Sequence, residues 1–271
     1  MRERLVINKR RTRMRMIIKG VEVLSVFFLS TQTLLAQAPA SVPDFGGMWS
    51  DPPARAEDAF CHTGCLVDAR NYLTELLDDP ANLDRSYTEL RREAQRFNSG
   101  ELIPGHLTPE ALEHYPFDRA TDPSLTQCAP WGFTRQILAP HAMEIKQFDD
   151  RITLYYSEWT ALRTVYLDGR TLPESLSPGL LGHSVGRFEG ETLVVETIGV
   201  TANHSNAAFA HSDQLTATER YTRSADGNRL NLEVTLQDPP TLRKPMVMAR
   251  AWTWAPTEAI YPYDACVKPG E

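Results

Sequence analysis

Two histidines with nearby carboxylates are the residues of this chain best suited to acid–base chemistry. His183 stands in Gly182-His183-Ser184-Val185-Gly186, and His211 lies downstream of it. A neutral imidazole beside a carboxylate moves protons near neutral pH. Glu189 and Asp213 are close enough in sequence to orient the two rings, so the catalytic set expected is His183, His211, Glu189 and Asp213. The competing reading has each ring hydrogen-bonded to its own loop. His183, His204 and His211 could share a metal, but spacings of 21 and 7 residues do not demand one, and none is expected.

The same run matches G-x-S-x-G, the nucleophile elbow of α/β-hydrolases. That elbow needs a strand before the serine and a helix after it. Here Ser184 to Phe188 reads as a strand, Glu189-Gly190-Glu191 as a tight turn, and Thr192 to Gly199 as a second strand. A hydrolase triad runs serine, acid, histidine, yet His211 is the last histidine and every Asp beyond Ser184 follows it. The expectation is a β-hairpin.

A second group of candidates consists of charges stranded on apolar faces. Arg163 lies with Ala161, Val165 and Leu167; Glu219 with Leu215, Ala217 and Tyr221; Arg250 with Met246, Met248, Trp252 and Trp254. A lone buried charge is too costly to leave unpaired. Arg163, Glu219, Arg250, Tyr221 and Trp252 are therefore candidate ligand-binding residues. One alternative is an internal Arg–Glu–Arg network that fixes strand register. Another is that the opposite strand faces point inward.

These residues must be positioned by strands. From Met143 apolar residues recur with period two in eight segments: 143–148, 151–157, 161–167, 184–188, 192–199, 213–223, 229–237 and 245–254. In the seventh, Leu230, Leu232, Val234 and Leu236 alternate with Asn231, Glu233, Thr235 and Gln237, giving one apolar and one wet face. Turn sequences such as Asp226-Gly227-Asn228 join most of them. The fold class expected is mainly β, an antiparallel up-and-down barrel of about eight strands. Such a barrel holds side chains or one small ligand. The longer links, 168–183 and 200–212, should lie at barrel mouths.

Upstream the period is helical. Leu66, Tyr72, Leu73, Leu76 and Leu77 form one stripe ending at Asp78-Asp79-Pro80, and Tyr87, Leu90, Ala94 and Phe97 form another. Thr108-Pro109-Glu110 starts a third helix with Thr as N-cap. The layout expected is a signal peptide over 1–38, an extended lead-in over 39–60, a helical segment over 61–127 and the barrel over 128–271.

The signal reading rests on eight Lys/Arg between Arg2 and Lys19, the apolar run Val23 to Leu35, and Ala36-Gln37-Ala38 as a small-x-small site. That apolar run is far short of the ~20 residues needed to span a bilayer, so the membrane matters only during export. Removing 1–38 takes eight of 28 basic and two of 35 acidic residues, leaving a net charge near −13. So acidic a chain lacks the basic footprint of a nucleic-acid binder.

Cys61, Cys65, Cys128 and Cys266 make an even count, which in an exported protein suggests two disulfides. Three pairings are possible. Short spacing favours Cys61–Cys65, leaving Cys128–Cys266; zinc at Cys61 and Cys65 lacks a second ligand pair.

The series Gly47-Met48-Trp49, Arg163 with Asp168-Gly169-Arg170, Gly182 through Val195, His211-Ser212, Glu219-Arg220 and Asp238-Pro239 resembles a family of uncharacterised exported bacterial proteins. The resemblance spans roughly 43–55 and 128–266. Phe188 stands where the family has Trp, and Tyr263, Lys268 and Pro269 depart from its C-terminal pattern. The resemblance implies a lipocalin-like barrel and no established activity.

Three functions compete. The first is a periplasmic or secreted barrel binding a small, partly apolar molecule in its lumen. The second is a cofactor-independent lyase or isomerase working at the barrel mouth. The third is an envelope interaction protein. The chain has no Rossmann glycine fingerprint, P-loop or zinc signature, and no cofactor is expected.

Overall fold

The computed structural model describes residues 42–51, 60–61, 64–116, 118–173, 176–203, 209–261 and 266. The expected signal segment and His204-Ser205-Asn206 lie outside the described residues. Strands β1 (Gly47–Ser50), β3 (Met143–Gln147), β4 (Arg151–Tyr156), β5 (Leu162–Tyr166), β6 (His183–Glu189), β7 (Thr192–Ile198), β8 (Thr216–Arg223), β9 (Arg229–Gln237) and β10 (Met246–Trp254) follow one another around a sheet that closes by pairing β10 with β1. The result is a mainly β, closed, lipocalin-like barrel of nine strands. A two-residue strand, β2 (Cys65–Leu66), pairs with another part of β10.

All eight strands expected from the two-residue period are present, with no end moved by more than three residues. The ninth, β1, comes from the lead-in. Four residues anchored by Met48 and Trp49 are too short for alternation to declare itself. One step departs from the antiparallel meander: β5 and β6 run parallel. The link 167–182 therefore crosses from one end of the barrel to the other, as parallel neighbours require. That crossing permits an odd number of strands to close.

Alternation decides which side chains fill the interior. Leu230, Leu232, Val234 and Leu236 of β9 are fully buried, while Glu233 and Gln237 between and beyond them are exposed. At roughly 25 cal/mol per Å² of apolar surface, such burial is the main favourable term in closure. Trp49, Tyr156, Tyr221 and Trp252 are also buried, and bulky side chains occupy much of the interior.

The two glycines of Gly182-His183-Ser184-Val185-Gly186 explain that motif. Gly182 has φ +68°, and a Cβ there would sit 2.8 Å from the Ile198 carbonyl oxygen. A Cβ on Gly186 would sit 2.7 Å from Val165 Cγ1 on β5. Both positions need glycine for close strand approach, and Ser184 lies within β6 rather than on a strand-to-helix turn.

The helices α1 (Val67–Asp78), α2 (Tyr87–Phe97), α3 (Ile103–His106), α4 (Pro109–Leu112), α5 (Pro123–Thr126) and α6 (Phe133–Leu138) precede β3. The two expected stripes form α1 and α2, and Thr108 caps α4 through the Ala111 N–H. Ser86 and Glu89 close a capping box on α2. α6 has no sequence periodicity to announce it, yet five of its six residues are buried.

Strand directions define two ends. The lower end is where β3, β5, β6, β8 and β10 begin and β1, β4, β7 and β9 finish. Helix α6 leads to it through His141. Disulfides Cys61–Cys65 and Cys128–Cys266 tie the helical segment to itself and to the C-terminal region, as the favoured pairing had it.

Candidate functional site

The stranded charges find one another across four neighbouring strands. Arg163 on β5 and Glu219 on β8 form a two-pronged ion pair at 2.7 and 2.5 Å, with both side chains essentially inaccessible. Ser184 on β6 accepts from Arg163 Nε and Nη2 at 3.0 and 2.9 Å, and Thr197 on β7 accepts from Nη2 at 2.6 Å. Tyr221 donates to Glu219 at 2.8 Å. Burial alone would push the guanidinium down, but the Glu219 carboxylate more than offsets it and holds Arg163 above its ordinary value. Burial, then Glu219, push the Tyr221 phenol well up. A buried pair is tolerated when further hydrogen bonds surround it, as those from Ser184, Thr197 and Tyr221 do here.

Arg250 belongs elsewhere, so the three-charge network divides. Its Nη2 donates to Asp51 Oδ1 at 2.9 Å and to the His141 carbonyl at 3.2 Å. Trp252 Nε1 donates to the same carbonyl at 3.2 Å. Burial brings Arg250 down to about 10, against the pull of Asp51. The barrel interior thus grips the segment between α6 and β3. It grips α6 as well: the Arg163 guanidinium lies 4.9 Å from the Phe133 ring centre.

What these contacts position is a cavity of about 450 Å³ between the helical segment and the lower end of the barrel. Its wall includes Tyr115, Trp131, Arg135, Leu138, His141 and Met248. The Arg135 guanidinium lies 4.3 Å from the Trp131 ring centre and donates from Nη1 to Asp122 at 2.8 Å and Ser124 at 2.9 Å. Burial would raise the Asp122 carboxyl, but hydrogen bonds from Ser124 and Arg135 hold it below its usual range. His141 Nδ1 lies 3.0 Å from Glu158 Oε1. Burial, then Arg250 and Arg135, push His141 from 6.5 down to about 4. Burial raises Glu158, against Arg135. The volume, apolar lining and few convergent polar groups are those of a small-molecule site, and a perturbed histidine on its wall adds to that.

Two other cavities are less suited. A groove of about 570 Å³ beside α1 is lined by the surface charges Arg70, Asp78 and Arg229. Another, of about 500 Å³, involves Ser157 and the segment 257–261.

The remaining expected residues are dispersed. His183 and His211 both stand at the lower end, one opening β6 and the other preceding β8. The exposed His183 ring bonds through Nε2 to the Ser177 carbonyl at 3.0 Å, and the buried His211 ring through Nδ1 to the Ser212 carbonyl at 3.1 Å. Neither ring lines any of these cavities. Glu189 is at the opposite end of β6, six residues on and so roughly 20 Å away, paired with Arg187 and Arg220 on the surface. Sequence proximity to His183 misled because a strand is extended. Asp213 is exposed. The carboxylate that organises this region is buried Asp238, which accepts from the Ser212 backbone N–H at 2.7 Å and from the Ser212 and Thr241 hydroxyls.

Sequence reasoning missed Trp131, Arg135, His141 and Glu158. The signal available was Trp131 and His141 flanking a short apolar run just before the first strand. Glu158 gave none, since it joins them only when β4 returns to the end where β3 began.

No family model matches the chain, and no curated protein matches it. Among solved structures, crystal structures of the fluorescent protein UnaG align with the chain. A mutant is 16% identical at a TM-score of 0.32, covering 79% of this chain and 97% of that one. The wild type is 14% identical at a TM-score of 0.31, covering 78% and 97%. A likeness of this size leaves the chain's ligand to be argued from its own residues.

Proposed function

We propose that this chain is an exported binding protein that holds a small, partly apolar molecule. The site we assign is the cavity of about 450 Å³ at the lower end of the barrel, under the helical segment. That cavity is the observation that carries the reading. It relocates the ligand from the lumen, where Arg163, Glu219 and Tyr221 already bond to one another. In this reading Arg250 and Trp252 serve binding indirectly, by holding the His141 carbonyl.

Export, with 1–38 removed and the lead-in, helical segment and barrel arranged as read from sequence, is part of the proposal. Two disulfides among the described residues suit an oxidising compartment. The resemblance to uncharacterised exported proteins supports the same view.

Two measurements test it. Native mass spectrometry of protein taken from its own envelope should show a retained small molecule. Anilinonaphthalene sulfonate, an anionic and partly apolar probe, should bind the folded protein and quench Trp131. A folded protein that carries no ligand and binds no probe would favour the envelope interaction reading instead.

A further inference from the structure

We infer that His141 and Glu158 form an acid–base pair that moves a proton of the molecule held in the cavity. The inference rests on the cavity being the ligand site, and it adds an activity to binding: cofactor-independent proton transfer from a carbon acid.

The geometry comes first. His141 Nδ1 lies 3.0 Å from Glu158 Oε1 without hydrogen-bond alignment, an approach that a small turn of the ring in the loaded site converts into an Nδ1–H···O bond. With the proton on Nδ1, Nε2 is a lone-pair acceptor on a residue that lines the cavity. The two side chains are 32% and 19% exposed, shielded yet reachable.

The pair is also held. The His141 carbonyl is fixed by Arg250 and Trp252, and its ring lies 5.3 Å from that of Trp131. Glu158 is followed by Trp159 at φ +59° and Thr160 at φ +47°. Non-glycine residues rarely adopt that conformation, and a β-branched one least readily. The third such residue among those described, Cys128 at φ +57°, lies three positions before Trp131. Backbone held in unfavourable conformations gathers at functional sites, and the Trp159 ring centre lies 6.5 Å from that of Trp131, which lines the cavity.

The charges facing His141 suit a base that waits for its ligand. Burial, then Arg250 on β10 and Arg135 on α6, disfavour the imidazolium, and the Glu158 carboxyl stands 3.0 Å from Nδ1. Asp122 and Asp51 sit behind the two arginines. Negative charge that develops on the bound molecule as the proton leaves offsets the arginines and favours the imidazolium at Nε2. In the step itself, Nε2 takes a proton from an activated C–H, and the C–H electron pair moves into the substrate. The imidazolium then returns the proton to another atom of the same molecule, with no net gain or loss.

Nitrobenzisoxazole is a suitable probe. Loss of its C–H proton to Nε2 places the electron pair in a C≡N bond, breaks the N–O bond and releases a coloured phenolate. The wild-type protein should open it about a hundredfold faster than His141→Ala. Glu158→Gln should fall between the two, and exposed His114→Ala should match the wild type. Diethyl pyrocarbonate gives a second reading that needs no ligand. Near pH 5 it should still label His141, whose imidazole stays neutral down to about 4.

Equal opening by wild type and His141→Ala, with anilinonaphthalene sulfonate still bound, would overturn the inference and leave the binding site standing. So would failure to label His141 near pH 5. Loss of probe binding in the wild type would instead remove the binding reading beneath it.

Discussion

Inside the barrel, Arg163 and Glu219 are sealed from water and bonded to each other and to Ser184, Thr197 and Tyr221. At the lower end, Arg135 pairs with Asp122 and His141 with Glu158, with His141 still 32% exposed and a cavity alongside. The residue types are similar in the two places. Their surroundings separate them. The interior pair's hydrogen bonds join four strands and leave no space beside it, whereas His141 borders a cavity.

The interior gives the largest expected effect. Glu219→Gln leaves Arg163 an uncompensated buried charge, costing about 3–5 kcal/mol. Chemical denaturation should show that loss, and adding Arg163→Met should partly restore it. An unchanged midpoint in Glu219→Gln would break the comparison at its first term. Arg250→Met removes bonds to Asp51 and to the His141 carbonyl, and should cost about 2 kcal/mol. Unlike Glu219→Gln, it should also weaken probe binding, because it releases the cavity wall. Ser184→Ala takes one acceptor from Arg163 and leaves Glu219 and Thr197; a loss of about 1.5 kcal/mol is expected. Fluorophosphonate should not label Ser184 in the wild type.

A pH effect sharpens the lower-end term. His141 falls from 6.5 to about 4 in the folded chain. Between those values the unfolded chain binds a proton that the folded chain does not, so stability rises with pH there. The contribution is complete above 6.5 and lost as pH falls through 4. His141→Gln should flatten that acid limb in melting temperature against pH. Raised Glu158 acts in the opposite sense above its ordinary 4.5, so Glu158→Gln serves as the companion curve. The smallest effect belongs to Glu189→Ala on the surface, within about 0.5 kcal/mol of the wild type.

The barrel was legible because β9 alternates over nine residues and Arg163 and Glu219 interrupt otherwise apolar faces. The cost of burying either alone left pairing as one reading among three, and the network then drawn included Arg250, which the fold places elsewhere. The parallel β5–β6 step was not legible, since strand pattern carries no direction. The cavity was not legible either. Trp131, Arg135 and His141 lie around a six-residue helix too short to show a period, and Glu158 arrives from a turn after β4. Their meeting depends on barrel closure and on the grip of Arg250 and Trp252, which no local spacing records.

The central claim is that the ligand lies at the lower end rather than in the lumen. Ala139, half-buried on the cavity wall, offers the most direct test, because a large side chain there fills the space without touching the interior charges. Anilinonaphthalene sulfonate should bind the wild type, and Ala139→Trp should abolish that binding while circular dichroism stays unchanged. Undiminished binding by folded Ala139→Trp would contradict the account.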